Sequence, residues 1–169
     1  YNNGKGVITF DGDVTTIGFF AFHCSGLTSI TIPDSVTTIG ENAFGQCDLT
    51  SITIPDSVTT IGDWAFNCCY NLTSVNIPNR VTTIGDYAFN WCTNLTSATI
   101  GNSVTTIGEV AFYHCTSLTS VTIGDSVTTI GNRAFEDCYS LTSVNIPNSV
   151  TTIGECAFAI CNSMTSVNF

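Results

Sequence analysis

A short unit repeats along this chain of 169 residues. Its most regular part is an Ile-Gly pair that recurs at intervals of 22 or 23 residues. These pairs begin at Ile17, Ile39, Ile61, Ile84, Ile107, Ile130 and Ile153. A unit this short cannot bury its own apolar face, so a fixed period predicts a solenoid whose neighbouring coils cover one another.

Each repeat divides into three parts. In Leu118–Ile123, apolar Val121 and Ile123 alternate with polar residues, which is typical of a strand with one buried face. A turn of Pro or Gly followed by Asp or Asn comes next. The third part begins as extended VTTIG and continues into GxxAFxxC, where the spacing of Ala, Phe and Cys predicts a short helix.

The first part carries a recognisable pattern. Leu72, Val75 and Ile77, with Asn79 after them, match the core of a leucine-rich repeat. Together with IGxxAFxxCxxLTSVxIPxSV, this pattern resembles the BspA-like, or Treponema pallidum-type, leucine-rich repeats from about Val7 to Phe169. The resemblance implies a mainly β solenoid of α/β type, a right-handed superhelix with a parallel sheet on its concave side. It also implies short helical segments on the convex side.

The repeats predict a single domain over residues 1–169. Residues 1–16 are a partial N-terminal repeat and residues 17–169 contain seven repeats. The chain stops inside a repeat, and neither end carries the polar capping repeat that solenoids normally have. We therefore expect either that the natural protein continues or that chains stack end to end.

The charge of the chain limits its partners. The formal net charge is -10, and Lys5, Arg80 and Arg133 are the basic residues. Nucleic acids and anionic membranes attract clustered cations, so neither is expected as a partner. No stretch is apolar for long enough to insert into a membrane.

The sequence also favours a role that is not enzymatic. Serine recurs in every coil as a repeat residue, and the two histidines have no evident orienting partner. The glycines punctuate the repeat, and no paired CxxC spacing indicates zinc. We expect no cofactor and no metal.

Most of the nine cysteines recur two or three residues after the Ala-Phe pair. We predict that these form a buried ladder of reduced thiols, although coil spacing alone leaves disulfides between coils open. The ladder comprises Cys24, Cys47, Cys69, Cys92, Cys115, Cys138 and Cys161. Cys68 and Cys156 lie outside it and are candidates for reactive or intermolecular thiols.

The repeats differ most on the predicted helix side. The outward strand positions are almost uniformly Ser, Thr or Asn, whereas the helix side carries varied and often aromatic residues. A candidate contact surface is formed by Trp64, Tyr87, Trp91, Val110 and Tyr113. These side chains either cover neighbouring coils of their own chain or contact a partner, and positions four apart, such as Tyr87 and Trp91, should share a helix face.

Two further groups have alternative interpretations. Glu41, Asp63, Asp86 and Glu109 follow the repeat glycine and fit exposed charges at helix N-termini, or else a stack of carboxylates that attracts Ca²⁺. Asn71 and Asn94 begin Asn-Leu-Thr sequons, which are candidate glycosylation sites in a secreted eukaryotic protein or chance matches in an Asn- and Thr-rich chain.

These observations lead to two hypotheses of function. The family resemblance implies a cell-surface or secreted protein of bacteria or protozoa that acts in adhesion or protein recognition. Its partner would be a host matrix or cell-surface protein. The alternative is a structural module whose copies assemble end to end into filaments, with lateral contacts through the aromatic residues.

Overall fold

The structure is a computed structural model that describes residues 13–169. The strand-like Val7, Ile8 and Phe10 of the partial repeat lie outside the described residues. Seven coils stack as a mainly β solenoid, and neighbouring coils are offset by 22 or 23 residues. The predicted repeat solenoid is confirmed.

Twelve short strands run through the coils of residues 13–169. In chain order they are β1 (Thr16–Ile17), β2 (Thr38–Ile39), β3 (Thr60–Ile61), β4 (Ser74–Ile77), β5 (Thr83–Ile84), β6 (Ser97–Ile100), β7 (Thr106–Ile107), β8 (Ser120–Thr122), β9 (Thr129–Ile130), β10 (Ser143–Asn145), β11 (Thr152–Ile153) and β12 (Ser166–Asn168). Every pairing between them is parallel and joins equivalent residues of adjacent coils, as Thr83 pairs with Thr106.

The strands form two sides of the solenoid. The VTTIG strands build one seven-stranded sheet in the order β1-β2-β3-β5-β7-β9-β11. The LTSV strands form a three-stranded sheet, β4-β6-β8, and a two-stranded pair, β10-β12. The LTSV segments of the first two coils are not paired as strands, and these are the coils with one residue fewer between Phe and Leu.

The core is a set of columns that run along the solenoid. In β4, Val75 and Ile77 point inward while Ser74 and Asn76 are exposed, as the period-2 pattern predicts. The repeat phenylalanines stack nearly parallel, with ring centroids 5.1–5.4 Å apart from Phe22 to Phe158. Each coil therefore buries its apolar face against the next.

Threonine hydroxyl groups reinforce the joints between coils. Thr96 Oγ1 donates to the Thr73 carbonyl at 3.0 Å, and Thr105 Oγ1 donates to the Thr82 carbonyl at 3.2 Å. The backbone N–H groups of Thr96 and Thr105 donate to the same two carbonyls. These exposed threonines thus have a structural role, which accounts for their presence in every repeat.

The segments predicted as short helices are not helical, and that prediction is wrong. We call these segments, from the repeat Gly to the ladder cysteine, the outer turns. Ala65 N–H donates to the Gly62 carbonyl at 3.4 Å and closes a tight turn, whereas Phe66 N–H donates to Ala88 of the next coil at 2.8 Å. This alternation continues along each outer turn. An α-helix would bond the amides beyond its first four residues to its own carbonyls, so those amides could not join the coils.

The ladder thiols make a hydrogen bond that a simple apolar residue could not make. Cys92 Sγ donates to the Phe66 carbonyl of the preceding coil at 3.3 Å, and Cys115 Sγ donates to Phe89 at the same distance. The structure contains no disulfide among its nine cysteines. Five ladder thiols are buried and Cys161 is half-buried.

Cys24 does not belong to the ladder, which corrects its predicted assignment. The ladder position lies three residues after Phe, and in the first coil Ser25 occupies it, with Oγ 3.3 Å from Cys47 Sγ. Cys24 lies one residue earlier, is exposed and approaches Gln46 Oε1 at 3.2 Å. Counting from the phenylalanine would have revealed the difference.

Burial changes the acidity of the ladder. It raises the pKa of the Cys69 and Cys115 thiols to about 12 and that of Cys161 to about 11. It also raises the pKa of Cys92 and Cys138 well above the ordinary value. These thiols stay protonated in the folded chain, whereas the unfolded chain ionises them near pH 9.

Stability should therefore fall in alkaline solution. Below about pH 9 these five thiols are protonated in both states. Between about pH 9 and about pH 11 only the unfolded chain loses their protons, so each of the five lowers the free energy of unfolding by about 1.4 kcal/mol per pH unit. Urea unfolding at several pH values from about 9 to about 11 measures how steeply the free energy of unfolding falls with pH. Cys115→Ser should make the slope shallower by about that amount. An unchanged slope in this variant would contradict the assignment.

Candidate interaction surface

Two columns of outward residues run along the outer turns. The first outer column comprises Phe20, Asn42, Trp64, Tyr87, Val110, Arg133 and Cys156; the second comprises Cys24, Gln46, Cys68, Trp91, His114, Asp137 and Ile160. Every member has a positive φ, between 54° and 62°. In every coil but the last, the left-handed backbone directs the amides of these residues to the next coil and so sets the path of the turn.

Within the first outer column, the two central aromatic rings stack on each other. The rings of Trp64 and Tyr87 are 4.0 Å apart and parallel to within 2°. Both side chains are half-buried. Val110 follows them in the next coil but is only 6% exposed, so it belongs to the packing of the outer turns and is unavailable for contact. The prediction that Val110 is part of the contact surface is therefore wrong.

The second outer column contains a cluster around an imidazole. Trp91 lies 3.8 Å from the His114 ring, and Tyr139 meets that ring edge-on at 5.7 Å. Asp137 Oδ2 lies 3.4 Å from His114 Nδ1. Burial, together with a hydrogen bond to Asp137, raises the pKa of Tyr113.

The residues of the predicted contact surface contact different partners from those that the sequence predicted. Residues expected to pair on one helix, such as Tyr87 and Trp91, stand in separate columns and pack against the neighbouring coil instead. Trp91 is the most accessible of the predicted set, with 38% of its surface exposed, while Tyr113 is half-buried.

Sequence reasoning missed three contributors to this surface. His114 lies in the second outer column, and the exposed Tyr70 and Tyr139 directly follow ladder cysteines. Alignment of the repeats on the ladder cysteine would have placed both tyrosines in one outward column. We call the aromatic surface formed by Trp64, Tyr70, Tyr87, Trp91, Tyr113, His114 and Tyr139 the aromatic face.

Two of the acidic residues after the repeat glycine accept hydrogen bonds from the backbone of the next coil. Asp63 Oδ1 accepts the N–H of Asp86 at 2.9 Å, and Asp86 Oδ1 accepts the N–H of Glu109 at 2.7 Å. All four acidic residues are exposed, as predicted, but their predicted place at helix N-termini is wrong because the outer turns are not helical. Across residues 13–169, no three His, Cys, Asp or Glu side chains are placed to hold a metal ion.

The sequon asparagines lie on the surface. Asn71 and Asn94 are both exposed, and Asn71 Nδ2 donates to Asp48 Oδ1 at 3.5 Å. The sequon threonines Thr73 and Thr96 donate their hydroxyl groups to carbonyls of the preceding coil. Glycosylation at these positions stays a prediction.

The repeat architecture agrees with a known family. The sequence profile described as BspA type leucine-rich repeat region, with six copies of the repeat, matches residues 15–140 and 82–169. The chain therefore belongs to the BspA-type leucine-rich repeat family. No protein with a curated description matches the sequence.

Solved structures of bacterial proteins share the fold. A leucine-rich repeat protein of Eubacterium ventriosum is similar over 90% of this chain, with 31% identity and a TM-score of 0.80. The T. pallidum leucine-rich repeat protein is similar over 76%, with 31% identity and a TM-score of 0.70. A leucine-rich cell surface protein of Faecalibacterium prausnitzii is similar over 94%, with 31% identity and a TM-score of 0.56.

The chain spans only part of these relatives. It covers 61% of the T. pallidum protein, 44% of the E. ventriosum protein and 48% of the F. prausnitzii protein. Over residues 13–169, no helix has the length and apolar character needed to cross a membrane.

The left-handed backbone of the outer columns should affect how stable different residue types are at these positions. A β-branched residue is strained at positive φ, whereas Asn tolerates it. Cys68, with φ of 57°, lies in a central coil and is only half-buried. We expect Cys68→Asn to be more stable than Cys68→Thr by about 1 kcal/mol, as measured by urea unfolding.

The matched control lies just outside the outer columns. Thr93 is half-buried and is not among the residues with positive φ, so Thr93→Asn should bring no gain over the parent chain. Equal stability of the two Cys68 variants would show that the turn does not require this conformation.

Proposed function

We propose that this chain is a non-enzymatic module that recognises another protein through the aromatic face. The observation that carries the proposal is the exposure of aromatic rings on a rigid frame, because Tyr70, Trp91 and Tyr139 are 37–48% exposed. Tyrosine and tryptophan contribute disproportionately to protein interfaces. Rings already held in place lose little conformational entropy on binding.

The reactive groups of the repeats are occupied in building the solenoid, which supports binding over catalysis. Thr105 Oγ1 donates to a backbone carbonyl, and so does Ser57 Oγ, which bonds Val36 at 2.6 Å. The thiols of Cys69, Cys92, Cys115 and Cys138 are buried, and burial raises their pKa above the ordinary value. They stay protonated at neutral pH, and a protonated thiol is a poor nucleophile.

We place the protein on a cell surface or outside the cell. The F. prausnitzii relative is described as a cell surface protein, and its similarity extends over nearly the whole of this chain. Adhesion to a matrix or cell-surface protein is the activity that fits both the location and the exposed aromatic face.

Assembly of copies of this chain is the second candidate. Strands of neighbouring coils pair in parallel through equivalent residues, as β10 does with β12, and copies that paired in the same way would form a filament. Such pairing at the last coil would involve Ile153 of β11, Val167 of β12 and the neighbouring Phe169.

A binding assay with two triple variants tests both candidates. The chain is immobilised and exposed to a panel of extracellular-matrix proteins and to copies of itself. Trp64→Ser/Tyr87→Ser/Trp91→Ser should weaken binding of a matrix protein at least tenfold, a loss of about 1.4 kcal/mol. Ile153→Ser/Val167→Ser/Phe169→Ser is the matched control and should leave that binding unchanged.

The same variants separate the candidates. Self-association that is lost only with the end-coil variant would favour assembly. Recognition through the aromatic face would be contradicted if the aromatic variant still bound the matrix protein. It would also be contradicted if the parent chain bound no matrix protein. Circular dichroism checks that each variant is folded, and Trp91→Ser alone replaces the triple variant if stacking losses unfold it.

A further inference from the structure

A row of carboxylates runs beside the first outer column. This acidic column comprises Glu41, Asp63, Asp86 and Glu109, each directly before a residue of the first outer column, and all four are exposed. The hydrogen bonds from the next coil occupy Oδ1 of Asp63 and of Asp86. The second oxygen of each is free of these bonds, so the negative charges are held in fixed positions at the surface.

Nothing in residues 13–169 neutralises this column. The ion pairs of the described chain are His114 with Asp137 and Arg133 with Glu136, and neither includes a member of the acidic column. Adjacent coils bring these carboxylates to about 5 Å strand spacing, where like charges repel. A cation that bridges two coils would relieve that repulsion.

The aromatic residues beside the column favour a particular cation. Asp63 precedes Trp64 and Asp86 precedes Tyr87, so the two central charges of the column each have an aromatic neighbour in their own coil. Arginine combines an ion pair with stacking on aromatic rings, which lysine and metal ions do less well. The chain places its own Arg133 in the first outer column, with Nε 2.7 Å from Glu136 Oε2.

We infer that the protein recognised by this face presents an extended, arginine-rich segment that lies along the acidic column and crosses successive coils. This inference rests on the proposed function and names the chemistry of its partner. The net charge of -10 adds long-range attraction for such a segment and speeds its encounter. The aromatic face supplies the short-range contacts.

A designed peptide provides the probe. An extended polyproline II chain advances about 3.1 Å per residue, so arginine at every third position recurs at about two coil spacings. A fluorescent Arg-Pro-Pro repeat peptide is titrated with the chain, and its anisotropy is compared with that of a Glu-Pro-Pro peptide of equal length.

The chain offers conservative variants for this test. Asp63→Asn/Asp86→Asn removes two charges but keeps an oxygen for the next coil's amide, as Asn132 Oδ1 accepts Glu155 N–H at 2.9 Å. Asp56→Asn/Asp125→Asn is the matched control. It removes the same charge from another turn, where other coils already carry Asn.

The expected result is position-dependent binding of the arginine peptide. Asp63→Asn/Asp86→Asn should weaken it roughly tenfold, and the control pair by less than about twofold. Trp91→Ser should weaken it as well, and the glutamate peptide should not bind. If the two Asp→Asn pairs lost equal affinity for the arginine peptide, net charge alone would explain the attraction and the inference would be overturned. The absence of any binding of the arginine peptide would overturn it as well.

The experiments distinguish failure of the arginine-rich partner from failure of the proposed function. If the aromatic variant loses matrix-protein binding while Asp63→Asn/Asp86→Asn keeps full affinity for the arginine peptide, the recognition surface stands and its cationic partner is wrong. If the aromatic variant keeps matrix-protein binding, the proposed function itself fails.

Discussion

Hydrogen bonds between successive coils, made in opposite directions on two sides of the solenoid, hold this structure together. On the strand side the later coil donates, as Gly108 N–H does to the Ile84 carbonyl at 2.9 Å. On the outer turns the earlier coil donates, as Phe89 N–H does to Ala111 at 2.8 Å. Each coil is thus both donor and acceptor for each neighbour, and a change of register would break bonds on both sides.

This constraint separates the residues that repeat from those that vary. The repeated Thr hydroxyl groups and Cys thiols bond to carbonyls of the preceding coil, so replacing them removes a joint. In the outer columns the contact that recurs from coil to coil is the backbone amide bond, so the side chains there can differ from one coil to the next. Aromatic rings at Trp64 and Trp91 can therefore serve recognition without disturbing the assembly of the coils.

The sequence predicted the parts of the fold that follow from its period. Inward Val75 and Ile77, the parallel strands and the stacked phenylalanines all repeat at one interval, and stacked coils are the arrangement that buries them. The outer turns were not predictable in this way, because alternating turns place Ala, Phe and Cys at nearly the spacing of a helix. The exposed Cys24 and the buried Val110 follow from details of that turn geometry.

Scalar coupling across hydrogen bonds is the most direct test of this account, because it identifies donor and acceptor in solution. The amide of Trp91 donates to the Tyr113 carbonyl of the next coil at 2.8 Å. We predict an NMR coupling between the Trp91 amide nitrogen and the Tyr113 carbonyl carbon. A coupling from Trp91 to the Tyr87 carbonyl of its own coil, as in a helix, would contradict it.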